Sequence, residues 1–256
     1  MEEGPLDDTL EQLAAAPEFM RRTALQFSDH LQSPVLEIGA GTGSLTRELM
    51  ALGLDVVATE YEPRRLKVLT ERLASEARGA SGHGRSVTQV LDLNTLSHGD
   101  QARCTQPFGA FGSIVASNVI EHIKDDVGCL QRLRGWLKPG GTLCIVVPAY
   151  PWLFSRFDEA LGHYRRYTPH TARVLLQAAG FTVRDVHSFN AVGILGWALN
   201  FRLLGRTRMP QGQLKIFSFL TPLIQLEDRL RLPFGLSVVA VGAAQSLPQQ
   251  GPTAGS

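Results

Sequence analysis

From Pro34 onward the chain alternates short β-branched runs with longer stretches of helical pattern, and this alternation constrains the fold more than any other feature of its 256 residues. Such an order signals parallel strands joined by helical crossovers, so the expected architecture is an α/β, doubly wound, mostly parallel sheet. The strand candidates are Val35–Ile38, Asp55–Thr59, Val87–Leu91, Ser113–Ser117, Thr142–Val147, Thr182–His187 and Ser237–Gly242. Helices are expected over Ser44–Ala51, Pro63–Ala77, Asp125–Leu137 and Thr168–Ala179. The last has Thr168 as N-cap, Pro169 in its first turn and Gly180 as its stop. Gly79–Arg85 reads as a connector and Lys138-Pro139-Gly140-Gly141 as a tight turn.

The flanks depart from the alternation. Residues 1–33 read as an N-terminal helical arm, 34–187 with 236–244 as the core, and 188–235 as two apolar helices inserted before the last strand. Residues 245–256 are polar, rich in Pro and Gly, and read as a disordered tail. The insertion suits an apolar cap over an acceptor, a dimer interface, plain core packing, or peripheral membrane contact with Arg202, Arg206 and Arg208 on its polar side. No run reaches the roughly 18 apolar residues of a spanning helix. Lys and Arg number 25 against 24 Asp and Glu, which leaves no basic excess to track a nucleic-acid backbone. Three cysteines without C-x-x-C spacing, behind an acidic N-terminus unlike a secretory signal, point to free thiols in the cytoplasm.

The first strand runs straight into Gly39-Ala40-Gly41-Thr42-Gly43 and then a helix. Glycines at these positions let a ligand approach main-chain atoms that a Cβ would shield. A dinucleotide fingerprint needs its third glycine at position 44, where this chain has Ser44, which weakens the case for a pyrophosphate ligand. Glu37 at the mouth of the strand would repel a pyrophosphate and attract a cationic amino group. Glu60, ending the second strand, offers two acceptor oxygens to ribose hydroxyls, and Asp92, after the third, can accept from an adenine amine. Together they describe an adenosine carrying an ammonium-bearing tail.

In this order and spacing, LEIGAGTGSLT, ATEYEP, LDLN, ASNVIEHI and LKPGGTLCIVVP resemble the class I S-adenosylmethionine-dependent methyltransferases over about residues 34–187 and the final strand. The resemblance implies a seven-stranded sheet with an antiparallel last strand, S-adenosylmethionine as cofactor, and cofactor contacts from Glu37, Gly39, Gly41, Gly43, Glu60, Asp92, Leu93 and Asn118. The ASNVIEH stretch is similar to that of ubiquinone-biosynthesis O-methyltransferases, in which two glutamates and the histidine accompany a divalent metal. Asn118 stands in place of the first carboxylate, which serves a hard cation less well, so no metal is expected.

Methyl transfer from a sulfonium is an in-line displacement that rests largely on alignment. An oxygen acceptor must also lose a proton, and imidazole is the natural base. His122, after the fourth strand, is the first candidate, with a helix-start histidine packed under the cofactor as its structural alternative. The second is His163, within Asp158–Tyr167, where Arg165 or Arg166 could instead latch the loop through Asp158. The expected function is methylation of a small, partly apolar acceptor, through oxygen. An N- or C-acceptor, a nicotinamide-dependent oxidoreductase and a non-catalytic cofactor-binding protein are the alternatives. Oligomeric state is left open.

Overall fold

The computed structural model describes residues 4–76, 83–208, 210, 227 and 232–245. In chain order the elements are α1 (Pro5–Ala14), α2 (Pro17–Leu25), β1 (Val35–Ile38), α3 (Ser44–Ala51), β2 (Val56–Glu60), α4 (Pro63–Glu76), β3 (Ser86–Val90) and α5 (His98–Thr105). There follow β4 (Phe111–Ser117), α6 (Asp126–Arg134), β5 (Leu137–Pro148), α7 (Arg156–Leu161), α8 (Pro169–Ala178), β6 (Phe181–Phe189), α9 (Val192–Trp197) and β7 (Ser237–Ala244). Helix α9 runs directly into a π-helical turn over Ala198–Leu203.

The strands form one sheet in the order β3-β2-β1-β4-β5-β7-β6, parallel except for β7, which is antiparallel to both its neighbours. This is the doubly wound, seven-stranded α/β fold expected. Period-two alternation sends successive side chains to opposite faces and so builds two cores. Leu36, Ile114, Ala116 and Ala240 pack with Leu130 and Leu133 of α6 and Leu176 of α8. Val35, Val115, Val239 and Val241 pack with Ala24 of α2, Leu49 of α3 and Leu69 of α4. Strand β1 pairs with β2 on one side and β4 on the other. The order of crossovers reverses there, opening a crevice beyond the carboxyl ends of the strands.

The structure corrects several local expectations. Lys138-Pro139-Gly140-Gly141 is part of β5, because Leu137 pairs with Phe111 and draws the segment into the ladder; Gly140, at φ +76°, takes up the bend. For the same reason α6 stops at Arg134. Helices α5 and α7 have no apolar period that reveals them and rest on capping boxes, Ser97 with Asp100 and Ser155 with Asp158. The N-terminal arm is two helices, with Pro17 opening the second. Much of the connector, the second apolar helix of the insertion and residues 246–256 lie outside the described residues, apart from Glu227. That carboxylate accepts from the Ala191 and Val192 N–H groups at 2.7 and 3.3 Å, anchoring the start of α9. No helix among the described residues is long and apolar enough to cross a membrane.

Candidate active site

Between β1 and α3 the backbone passes through Gly39, Gly41 and Gly43 at φ +66°, +57° and +85°, a region L side chains rarely adopt. A Cβ on Gly39 would lie 2.6 Å from Val119 Cγ2, and one on Gly41 2.8 Å from Leu10 Cδ2. Leu10 belongs to α1, so the N-terminal arm lies against this loop. The result is a main-chain cradle at the carboxyl end of β1, free of side chains of its own at alternate positions.

Two buried carboxylates back the cradle. Glu37 of β1 is buried and accepts a 2.5 Å hydrogen bond from Thr46 Oγ1. Burial pushes its pKa up to about 7, with the Thr46 bond opposing. It is therefore not a solvated strand end. Glu60 accepts from the Gly41 N–H at 3.2 Å and from the Tyr61 and Glu62 N–H groups at 3.0 Å, so it also fixes the glycine loop from the end of β2. Ionised, these two carboxylates can only accept, and beside glycine backbone they supply the kind of partner that the hydroxyls and cationic tail of a nucleoside would need.

Asp92 lies just past β3, half-buried, and accepts from Asn94 N–H and Nδ2 at 2.9 and 3.1 Å, capping a short 3-10 turn that buries Leu93. Its turn-initiating role is thus present in the structure. Asn118 is exposed, in a left-handed conformation at φ +52°, and donates its N–H to Val146 O at 2.8 Å. All these residues lie at or just past the carboxyl ends of β1 to β4.

A second cluster forms where the 3-10 turn Ile120–His122, after β4, meets the segment after α7. The Tyr164 N–H donates to Glu121 O at 2.8 Å and ties the two segments together. The His122 and His163 rings meet edge to face, 4.6 Å between centroids. His163 Nδ1 lies 2.9 Å from Asp158 Oδ1. Asp158 is fully buried and also accepts from Arg166 Nε and Nη2 at 2.8 and 3.1 Å and from Ser155 N–H and Oγ at 2.9 Å. Burial alone would raise its pKa, but the His163 and Arg166 contacts outweigh it and hold the carboxyl below its ordinary value. Arg166 continues to Ala149 O at 3.0 Å and lies over the Trp197 ring at 4.3 Å, linking the cluster to α9. Arg165 pairs elsewhere, with Asp126 at 2.8 Å. The latch is therefore Arg166 to Asp158, and it coexists with the Asp158–His163 contact.

Glu121 is fully buried, and neither carboxylate oxygen has a hydrogen-bond partner. Burial raises its pKa to about 8. His122 is lowered to about 4, first by burial and then by the neighbouring His163. One ligand atom from each of Glu121, His122 and His163 lies within 4.8 Å of the others, an arrangement that could hold a metal ion. The structure thus joins His122 to His163. The amino-acid sequence singles out His122 as a base and matches Glu121 only to a metal-associated motif that Asn118 leaves incomplete, so the burial of Glu121 beside His163 is a finding of the structure. Thr46 was missed; a hydroxyl on the buried face of α3 could have pointed to it. Leu10 had no local signal.

A profile of the methyltransferase domain family matches residues 10–186. The ubiquinone biosynthesis O-methyltransferase of Xanthomonas campestris pathovar campestris is 30% identical over 190 residues, covering 68% of this chain and 72% of that protein. Among solved structures, the glycopeptide N-methyltransferase MtfA complexed with S-adenosylmethionine superposes with a TM-score of 0.54 at 17% identity, covering 90% of this chain and 94% of that one. The [4+2]-cyclase SpnF superposes with a TM-score of 0.57 at 15% identity, covering 90% of this chain and 81% of that one. At such identities the superpositions establish the fold alone, and the pair shows how little the fold decides about chemistry.

Proposed function

This chain belongs to the methyltransferase domain family, and on that premise we propose that it methylates an oxygen of a small, partly apolar acceptor, with His122 or His163 taking the acceptor's proton. It is an S-adenosylmethionine-dependent methyltransferase, and that cofactor supplies an electrophilic methyl group. Gly39, Gly41 and Gly43 would receive it along the backbone, Glu37 would face its ammonium, Glu60 its ribose and Asp92 its adenine; Leu93 and Asn118 would line the same edge. Val119 packs on Gly39 and leads directly into the turn bearing His122, so the cradle and the imidazoles share one edge of the sheet.

That adjacency carries the reading. Burial lowers the His122 pKa to about 4, which makes that ring a weak base, so the proton falls more naturally to His163, whose Nδ1 is backed by the buried Asp158 carboxylate at 2.9 Å. The exposed aromatic rings of Trp152 and Tyr164 and the Trp197 edge of the insertion support an apolar acceptor. The Xanthomonas relative is itself named for O-methylation. A net charge of +1 favours a free small molecule over nucleic acid, and the buried free thiols of Cys104, Cys129 and Cys144 support a cytoplasmic setting. The test is transfer of label from the methyl donor across phenols, carboxylic acids, sugars and amines. Label on a hydroxyl acceptor is expected, with His122→Ala or His163→Ala lowering turnover by about 10²–10⁴-fold. Label on amines alone would overturn the oxygen assignment; unchanged turnover in both variants would overturn the base.

A further inference from the structure

We propose that Trp197 of α9 and Arg166 are positioning residues for the base: acting through Asp158, they hold the proton of His163 on Nδ1 and leave Nε2 to take the acceptor's proton. The proposal rests on the reading of His163 as the base and adds that the insertion sets it. Asp158 meets donors on both oxygens. Oδ1 accepts from Arg166 Nε at 2.8 Å and faces His163 Nδ1 at 2.9 Å. Oδ2 accepts from Arg166 Nη2 at 3.1 Å and from the N–H and Oγ of Ser155 at 2.9 Å. A carboxylate so surrounded is ionised and can only accept, so the His163 proton sits on Nδ1 and the lone pair on Nε2. That division lasts only while the plane of the carboxylate stays fixed, and Ser155 holds only the oxygen that His163 does not use.

Arg166 fixes that plane. Its Nε and Nη2 meet the two oxygens side by side, a fork that sets the orientation of a carboxylate as a lysine ammonium does not. The guanidinium is itself held on two further sides, by Nη1 donating to Ala149 O at 3.0 Å and by the Trp197 ring over its face at 4.3 Å. Trp197 is anchored in turn through Nε1–H to Leu153 O at 3.2 Å and against the rings of Phe157 and Phe201 at 5.3 and 4.5 Å. The side chains of Arg166 and Asp158 are 1% and 0% exposed, so each of these contacts acts at low dielectric and at nearly full strength. An unbroken line of contacts runs from α9 to the imidazole. Without the ring above it the guanidinium can tilt out of the carboxylate plane and take Asp158 with it; His163 then loses its fixed partner and its two tautomers mix.

The test reads the His163 tautomer by nuclear magnetic resonance in the full chain, its imidazole nitrogens isotope-labelled and the signal identified by its loss in His163→Gln. The wild type should carry the proton on Nδ1. Trp197→Leu should mix the tautomers and lower kcat about 10-fold for the phenols that take label, with KM for the methyl donor unchanged. Trp197→Phe, which restores a ring face, should recover both. Asp158→Asn should move the proton to Nε2 and lower kcat about 10²–10⁴-fold. Leu195→Ala, on the exposed side of the same helix, should alter neither. If Trp197→Leu does not fold by circular dichroism, Trp197→Met and Arg166→Lys answer the same question. A wild-type proton on Nε2, or the wild-type tautomer in folded Trp197→Leu, would overturn the proposal whatever the turnover. Unchanged turnover in His163→Gln would overturn the base and the positioning role with it. The tautomer is read without an acceptor, so the two failures are told apart.

Discussion

Glu37 is ionisable, buried and joined to a single hydroxyl, and its behaviour follows from that position. Its folded pKa, about 7, lies above its ordinary value of 4.5, so the folded state holds the proton more tightly than the unfolded chain. The stabilisation is fully present below pH about 4.5 and is lost as pH rises toward 7, a change on the order of 3 kcal/mol. Denaturant melts between pH 5 and 8 should show this decline, and Glu37→Gln should flatten it; an unaltered slope in the variant would refute the assignment. A ligand ammonium beside Glu37 favours the ionised form. Binding of S-adenosylhomocysteine at pH 6 should therefore release protons, seen as calorimetric heats that vary with buffer, and Glu37→Gln should remove the variation. Gly41 makes the complementary point about backbone. Alanine there must adopt φ +57° and push against Leu10, so Gly41→Ala should lose about 1–2 kcal/mol and bind the nucleoside weakly. A variant as stable and as tightly binding as the wild type would contradict the cradle. The glycines and the carboxylate were legible as residues; that Thr46 and Leu10 touch them was not, because neither contact leaves a mark within a few residues of sequence.

Among the elements, those with an amphipathic period or a strong cap were the legible ones. Helix α3 begins and ends where its pattern says, and α8 is framed by Thr168, Pro169 and Gly180. Helix α7, with six residues, is too short for periodicity to register and is held by what it touches. Phe157, at its start, is buried, stacks on Phe201 at 4.3 Å and meets Trp197 edge-on at 5.3 Å. Those rings tie α7 to α9 and its π turn, and α7 in turn carries Asp158. Phe157→Ala should cost about 3–5 kcal/mol and shorten the protection of α9 in hydrogen exchange. Loss confined to global stability, with α9 protection unchanged relative to the sheet, would argue against that coupling.

For the whole molecule, one sheet with a core on each face and a ligand crevice at its edge predicts that nucleoside binding stabilises the entire unit. At about 100 times its Kd, S-adenosylhomocysteine should add roughly 2.7 kcal/mol, about 5–10 °C for a domain of this size, while NADH at equal concentration adds nothing. The reverse result would restore the nicotinamide reading that Ser44 and Glu37 disfavour. The succession of strands, helices α3, α4, α6 and α8 between them, the sheet's class, the glycine bend and the candidate imidazoles follow from the amino-acid sequence alone, since side-chain period, turn chemistry and caps act over a few neighbouring residues. Tertiary structure alone decided that the Ile120–His122 turn and the loop after α7 meet, that Asp158 serves both Arg166 and His163, and that Glu121 is left without a donor. Those outcomes depend on how crossovers and loops pack across the sheet edge, and on desolvation there, which no local pattern encodes.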